Sequence, residues 1–91
     1  MIALSEKPPL HDLFVFFDMA HIARLGTKAV FTPGKDGRIF VTLWRQRGTE
    51  ETKALIRAFF EMNDPFVLQA GFSVGVFKSQ LLGLYPALRD R

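Results

Sequence analysis

The stretch that decides the fold is DPFVLQAGFSVGVFKSQL, residues 64–81. Asp64 and Pro65 suit the N-cap and first position of a short helix that reaches Ala70. Gly71 then supplies a turn, because glycine adopts the left-handed backbone conformation without steric cost. Ser73 caps a second helix that runs to about residue 84. This interpretation predicts a helix-turn-helix-like C-terminal region, and it is the one that we favour.

The same stretch also has a strand-like pattern. Phe72, Val74 and Val76 alternate with Ser73 and Gly75, and glycine weakens a helix. The alternative is therefore a third strand at 66–77 followed by a final helix. The chain would then form a three-stranded antiparallel sheet packed on helices.

Upstream, apolar residues recur at helical spacing from about Pro9 to Leu25, and Gly26 follows as a C-terminal cap. This spacing predicts the first helix. Its apolar surface is broader than a single core-facing side requires, so part of it is expected to meet a second subunit. The residues that widen it are Val15, Phe16, Met19 and Ala20.

Residues 28–47 have the pattern of a β-hairpin. Two segments rich in β-branched and aromatic residues, 28–32 and 38–46, flank the turn formers of Pro33-Gly34-Lys35-Asp36-Gly37. Thr49 then follows as the predicted N-cap of a helix that ends near Asn63. The sequence as a whole therefore predicts a single α+β domain over 1–91: helix, β-hairpin, helix and the helix-turn-helix-like region.

Composition narrows the class of protein. A chain of 91 residues suits one domain, and the absence of cysteine excludes disulfide frameworks, cysteine zinc sites and thiol nucleophiles. No apolar run approaches the length of a membrane span, and no signal peptide is recognisable. We expect a cytoplasmic protein without a cofactor, a metal or enzymatic activity. His11, Asp18 and His21 share the first helix, but a surface hydrogen bond between Asp18 and His21 explains them more simply than a metal site.

Positive charge is concentrated in one segment. The net charge of the chain is +3, whereas residues 24–48 alone carry six basic residues and one acidic residue. Clustered cations can neutralise phosphates and release counterions from nucleic acid. We expect phosphate contacts from Lys35 and Arg38 at the tip of the hairpin and from Arg45 and Arg47 at the end of its second strand.

The segment AGFSVGVFKSQL, residues 70–81, resembles the turn and recognition helix of helix-turn-helix regulators. It is most similar to the TetR-type pattern Ala-Gly-Val-Ser-x-Gly-x-Phe-Tyr-x-x-Phe, with Lys78 at the position of the tyrosine. The resemblance covers about a dozen residues. It implies that Ser73, Val74, Lys78 and Ser79 face the major groove of DNA.

Two functions follow from these observations. The leading one is a small DNA-binding regulatory protein that acts as a homodimer, with 64–85 in the major groove of double-stranded DNA and the 28–47 hairpin on the phosphates. The alternative is a non-enzymatic protein-protein interaction or dimerisation module. Its interface would use the aromatic residues Phe14, Phe16, Phe17, Phe40 and Trp44.

Overall fold

A computed structural model of the chain describes residues 7–89, and these residues form five helices without a strand. The helices are α1 (Leu10–Leu25), α2 (Pro33–Arg47), α3 (Thr49–Phe60), α4 (Pro65–Ala70) and α5 (Val74–Arg89). The predicted α+β class is therefore wrong, as are both of its sheets, the 28–47 hairpin and the three-stranded alternative.

The first helix follows its prediction. α1 ends at Gly26, which has a left-handed φ of +78° and donates its N–H to the Ile22 carbonyl at 2.7 Å. Glycine suits this position because it has no Cβ to clash with the backbone.

The predicted hairpin is instead a loop at 26–32 followed by α2. Pro33 is the first residue of the helix, where its missing N–H costs nothing. The Asp36 carboxylate accepts a hydrogen bond from the Thr32 N–H at 2.7 Å, which stabilises the first turn. The residues that suggested a hairpin turn therefore begin a helix.

Tertiary packing explains why the strand-like residues of α2 are helical. Phe40, Leu43 and Trp44 are buried on one side of the helix, whereas Thr42 is exposed. These three positions fit a period of 3.6 residues, whereas in a strand Leu43 would point away from Phe40 and Trp44. Burial against other helices outweighs the weak β preference of its branched and aromatic residues.

Helix α3 is central and contacts α1, α2 and α5. It starts directly after α2 because Gly48, with a φ of +84°, forms the corner between the two helices. Gly48 is the N-cap, so the prediction that Thr49 caps this helix is wrong. The Thr49 hydroxyl instead accepts a hydrogen bond from the Trp44 indole at 3.0 Å.

The C-terminal region consists of two helices, as we favoured. Asp64 caps α4 by accepting hydrogen bonds from the N–H groups of Phe66 and Val67, and Gly71 ends it with a φ of +76°. The alternative strand at 66–77 is wrong. α5 continues through Pro86 to Arg89, beyond the end that we expected near residue 84.

The core is built largely from phenylalanine rings contributed by α1, α2, α3, α5 and the turn before α5. Five of these rings are almost completely inaccessible to solvent. They are Phe17, Phe40, Phe59, Phe72 and Phe77. None of the five helices is both long enough and apolar enough to cross a membrane.

A glycine substitution distinguishes this fold from a hairpin. In α2 a Cβ at Gly37 would lie 3.5 Å from Leu10 Cδ2, an ordinary contact. Because alanine favours a helix interior more than glycine does, Gly37→Ala is expected to raise the free energy of unfolding by about 0.5–1 kcal/mol. Urea denaturation followed by circular dichroism measures this change.

Gly26→Ala is the matched control. Its positive φ makes alanine unfavourable, so the free energy of unfolding should fall by about 1 kcal/mol. Destabilisation by Gly37→Ala would contradict the assignment of residues 33–47 to a helix.

Candidate functional site

A cleft of about 490 Å³ lies between α2 and α5. Its α2 wall contains Lys35, Arg38, Thr42 and Gln46, which lie on one side of the helix because they are three or four residues apart. Lys78, Leu81 and Tyr85 form the α5 wall at the same kind of spacing. Ile39 and Leu43 complete its apolar lining.

Three cations surround this cleft. Lys35 and Arg38 from α2 and Lys78 from α5 are all exposed. Within residues 7–89, no acidic side chain lines the cleft and none forms a salt bridge with these three. The cleft therefore attracts anions, and phosphates and carboxylates are the anionic groups that lysine and arginine bind best.

The two helices of the cleft run in the same direction. The rings of Phe40 in α2 and Phe77 in α5 have centroids 6.4 Å apart, and the Arg47 guanidinium lies 4.3 Å from the Tyr85 ring centroid. In both helices, the second contact lies closer to the C-terminus than the first. Lys35, Arg38 and Lys78 consequently belong to the N-terminal part of the cleft, and Tyr85 belongs to the opposite end.

The turn before α5 has an unusual backbone. Gly71 and Phe72 both have positive φ, +76° and +54°. A non-glycine residue in this conformation is strained by about 1–2 kcal/mol. Burial of the Phe72 ring offsets that strain, because it stacks on Phe60 with a centroid distance of 5.2 Å and an interplanar angle of 15°. Ser73 then caps α5 by accepting a hydrogen bond from the Val76 N–H at 3.3 Å.

His21 connects this turn to the loop after α1. Its ring is buried, with Nδ1 2.6 Å from the Thr27 carbonyl oxygen and Nε2 3.1 Å from the Gly71 carbonyl oxygen. Both partners are acceptors, so a neutral ring donates to one of them and a protonated ring donates to both. The sequence contained no signal for this contact, which joins residues 50 positions apart.

Asp18 has a similar structural role. Its carboxylate accepts a hydrogen bond from the Ala29 N–H at 2.8 Å and so orders the loop that precedes α2. The hydrogen bonds of Asp18 and His21 are made to other residues and not between these two side chains. The expected surface pair is therefore wrong. Among the described residues, no three His, Asp or Glu side chains come together as metal ligands.

The structure brings together only two of the four cations expected on phosphates. Lys35 and Arg38 share the cleft with Lys78, which was expected in the major groove, but Arg45 and Arg47 are not among its lining residues. Arg47 forms a salt bridge with Glu51 at 3.1 Å and packs over Tyr85. Arg45 is half-buried, and its Nε atom has no hydrogen-bond partner within the described part of the chain.

Only some of the residues expected to face a DNA groove are exposed. Ser73, Lys78 and Ser79 are exposed. Ser79 donates its hydroxyl hydrogen to the Val76 carbonyl at 2.7 Å. Val74 is buried in the core, so it cannot contact a ligand.

Most of the residues expected at a partner interface pack inside the domain. Phe17, Phe40 and Trp44 are buried. Phe14 packs edge-on against Phe31 and Phe40.

Phe16 is half-buried beneath two cations of α3. The charged groups of Lys53 and Arg57 lie 5.4 Å and 5.2 Å from its ring centroid. The exposed large apolar residues of α1 are instead Val15, Met19, Ile22 and Leu25. Their spacing of three or four residues places them on one side of the helix.

Comparisons with protein-family models, curated proteins and solved structures give no match for this chain.

Substitution of His21 tests its role in holding the turn before α5. His21→Leu removes the ring that lies within hydrogen-bond distance of the Thr27 and Gly71 carbonyls and leaves these acceptors without that donor. The free energy of unfolding is expected to fall by about 1–3 kcal/mol, and amide exchange at Phe72 should accelerate. Urea denaturation and hydrogen exchange measure the two effects.

His11→Leu is the control, since His11 is an exposed residue of the same helix. We expect it to change stability by less than about 0.5 kcal/mol. Equal effects of the two substitutions would contradict a specific role for His21.

Proposed function

We propose that this protein binds double-stranded DNA, with α5 against the duplex and Lys35, Arg38 and Lys78 on its phosphates. The observation that carries the proposal is the convergence of these three cations, from two helices, on one cleft without a described acidic lining residue. Each cation that neutralises a phosphate releases counterions, which favours binding at low salt.

The arrangement of α4 and α5 supports the same proposal. A short helix, a three-residue turn and a longer helix follow one another, which is the order of elements in helix-turn-helix proteins. Ser73, Lys78 and Ser79 are exposed in the N-terminal half of the second helix and its cap. In such proteins this half approaches the bases.

Few of these side chains can distinguish one base pair from another. The two serine hydroxyls can contact several bases, and Lys78 is engaged with phosphate, whereas the arginine, asparagine and glutamine forks of specific readers are absent from this set. We therefore propose that phosphate contacts supply most of the affinity. A regulatory protein of this kind would act in the cytoplasm, and a homodimer would double the number of contacts.

The test is binding to a fluorescein-labelled random duplex, measured by anisotropy at about 50 mM and about 200 mM NaCl. Three phosphate contacts predict a slope of about −2.7 in a plot of log K against log salt. The double variant Arg38→Gln with Lys78→Gln should weaken binding and make the slope shallower by about 2.

Lys53→Gln removes one positive charge from α3, where the ammonium packs over Phe16 and is not part of the cleft. We expect it to leave the affinity within about twofold. Absence of binding at low salt, or equal losses in the control and in the double variant, would overturn the proposal.

A second candidate function, a dimerisation module, is favoured by the apolar side of α1. Val15, Met19 and Ile22 are 41%, 65% and 40% exposed. Apolar residues on one side of a helix commonly mark an interface, because burial removes them from water. A second copy of the chain, packed through α1, would bury them.

Met19→Glu tests this interface, since a buried carboxylate would oppose association. Sedimentation velocity should show a dimer for the unsubstituted chain and a monomer for this variant. Val30→Glu is the control, because Val30 is 88% exposed but lies in the loop before α2. A monomeric unsubstituted chain would contradict the second candidate function.

A further inference from the structure

The cleft between α2 and α5 has an apolar surface in addition to its cations. Beside the three cations it has an apolar floor formed by Ile39, Leu43 and Leu81. Phosphates of a duplex can use the cations, but they offer no apolar group to cover this floor. The combination points to a ligand with a charged end and an apolar body.

The two kinds of lining residue occupy different parts of the cleft. Because α2 and α5 are parallel, Lys35, Arg38 and Lys78 lie toward their N-termini, and Tyr85 lies toward the C-terminal end. From Lys35 to Gln46 the α2 wall spans about 16 Å, at about 1.5 Å per residue. The positive charge of Arg47, near the C-terminal end of α2, is already paired. Arg47 forms a salt bridge with Glu51 at 3.1 Å, and its guanidinium covers the Tyr85 ring.

We propose that this cleft binds a small amphipathic anion. Its carboxylate or phosphate is bound by Lys35, Arg38 and Lys78, and its aliphatic or aromatic body covers Ile39, Leu43 and Leu81 as far as Tyr85. Charge complementarity selects an anionic head, because the described lining contains three cations and no carboxylate. The volume of about 490 Å³ lies within the range of small-molecule sites.

This binding is independent of the proposed DNA binding, since it uses a cleft within one chain. One consequence does rest on the proposed function: the anionic head occupies the cations that would contact phosphates, so the ligand competes with DNA. The cleft would then be an effector site that lowers DNA affinity when it is filled.

Decanoate is the probe for the experiment, since it joins one carboxylate to an unbranched apolar chain. Titration calorimetry on the full chain should give a dissociation constant below about 1 mM. Acetate has the charge without the chain, and 1-octanol has a chain without the charge. Each should bind at least about tenfold more weakly than decanoate. Nitrogen-15 NMR should show the largest shift changes at Thr42, Gln46 and Lys78.

Two variants separate the cleft from other sites. Thr42→Phe starts from an exposed position and fills the cleft without removing core atoms. It should weaken decanoate at least about tenfold. Arg38→Gln with Lys78→Gln should weaken both ligands, and Lys53→Gln should weaken neither. Circular dichroism verifies that each variant is folded.

The proposal is overturned if decanoate causes no heat or shift change up to about 5 mM, if 1-octanol binds equally well, or if Thr42→Phe binds decanoate normally. Decanoate binding with the predicted variant pattern supports it even when DNA does not bind, in which case the proposed function alone fails. DNA binding without decanoate binding leaves the proposed function intact and overturns this inference.

Discussion

The ring of Phe17 lies where the helices of this protein meet. Its side chain is fully buried, and its centroid lies 4.9–6.1 Å from those of five other phenylalanines. These come from the loop before α2, from α2, from α3 and from α5: Phe31, Phe40, Phe59, Phe60 and Phe77. In a domain of 91 residues without cysteine, such ring packing contributes stability of the kind that disulfides supply in other small proteins.

The cleft is a consequence of this core. Phe40 and Phe77 hold α2 and α5 side by side through their inner surfaces, and the residues adjacent to them in each helix then face one another across the cleft. A change in the packing of either ring would move Lys78 relative to Arg38. The positions of the three cations therefore depend on the apolar contacts beneath them. The like charges repel one another and do not hold the helices together.

The turn before α5 depends on the same core. Phe72 adopts a left-handed backbone conformation because its ring is buried against Phe60, and His21 holds the adjacent Gly71 carbonyl. Local strain of this kind persists only where surrounding contacts compensate for it. The direction in which α5 leaves the turn, and with it the exposed side of α5, is set by these contacts.

Several helix ends were predictable from sequence, because caps are contacts between neighbours in the chain, although the predicted cap at Thr49 was wrong and both ends of α2 were missed. Gly26, Asp64, Gly71 and Ser73 act where their residue types indicated. Local pattern could not decide residues 28–47, since their apolar positions fit a strand and a helix equally well. Burial of Phe40 against rings from α1 and α5 selects the helix.

For the cations as well, the sequence predicted part of the arrangement and the tertiary structure decided the rest. The sequence by itself determined that Lys35, Arg38 and Lys78 are basic residues near helix-forming or turn-forming segments. It grouped Lys35 and Arg38 with Arg45 and Arg47 on phosphates, and it placed Lys78 apart from them in the major groove. Only the tertiary structure decided which of them meet, because Arg38 and Lys78 are neighbours through the parallel packing of two helices distant in the chain. Such a contact depends on which sides of the helices are buried, and no pattern within a single segment specifies that.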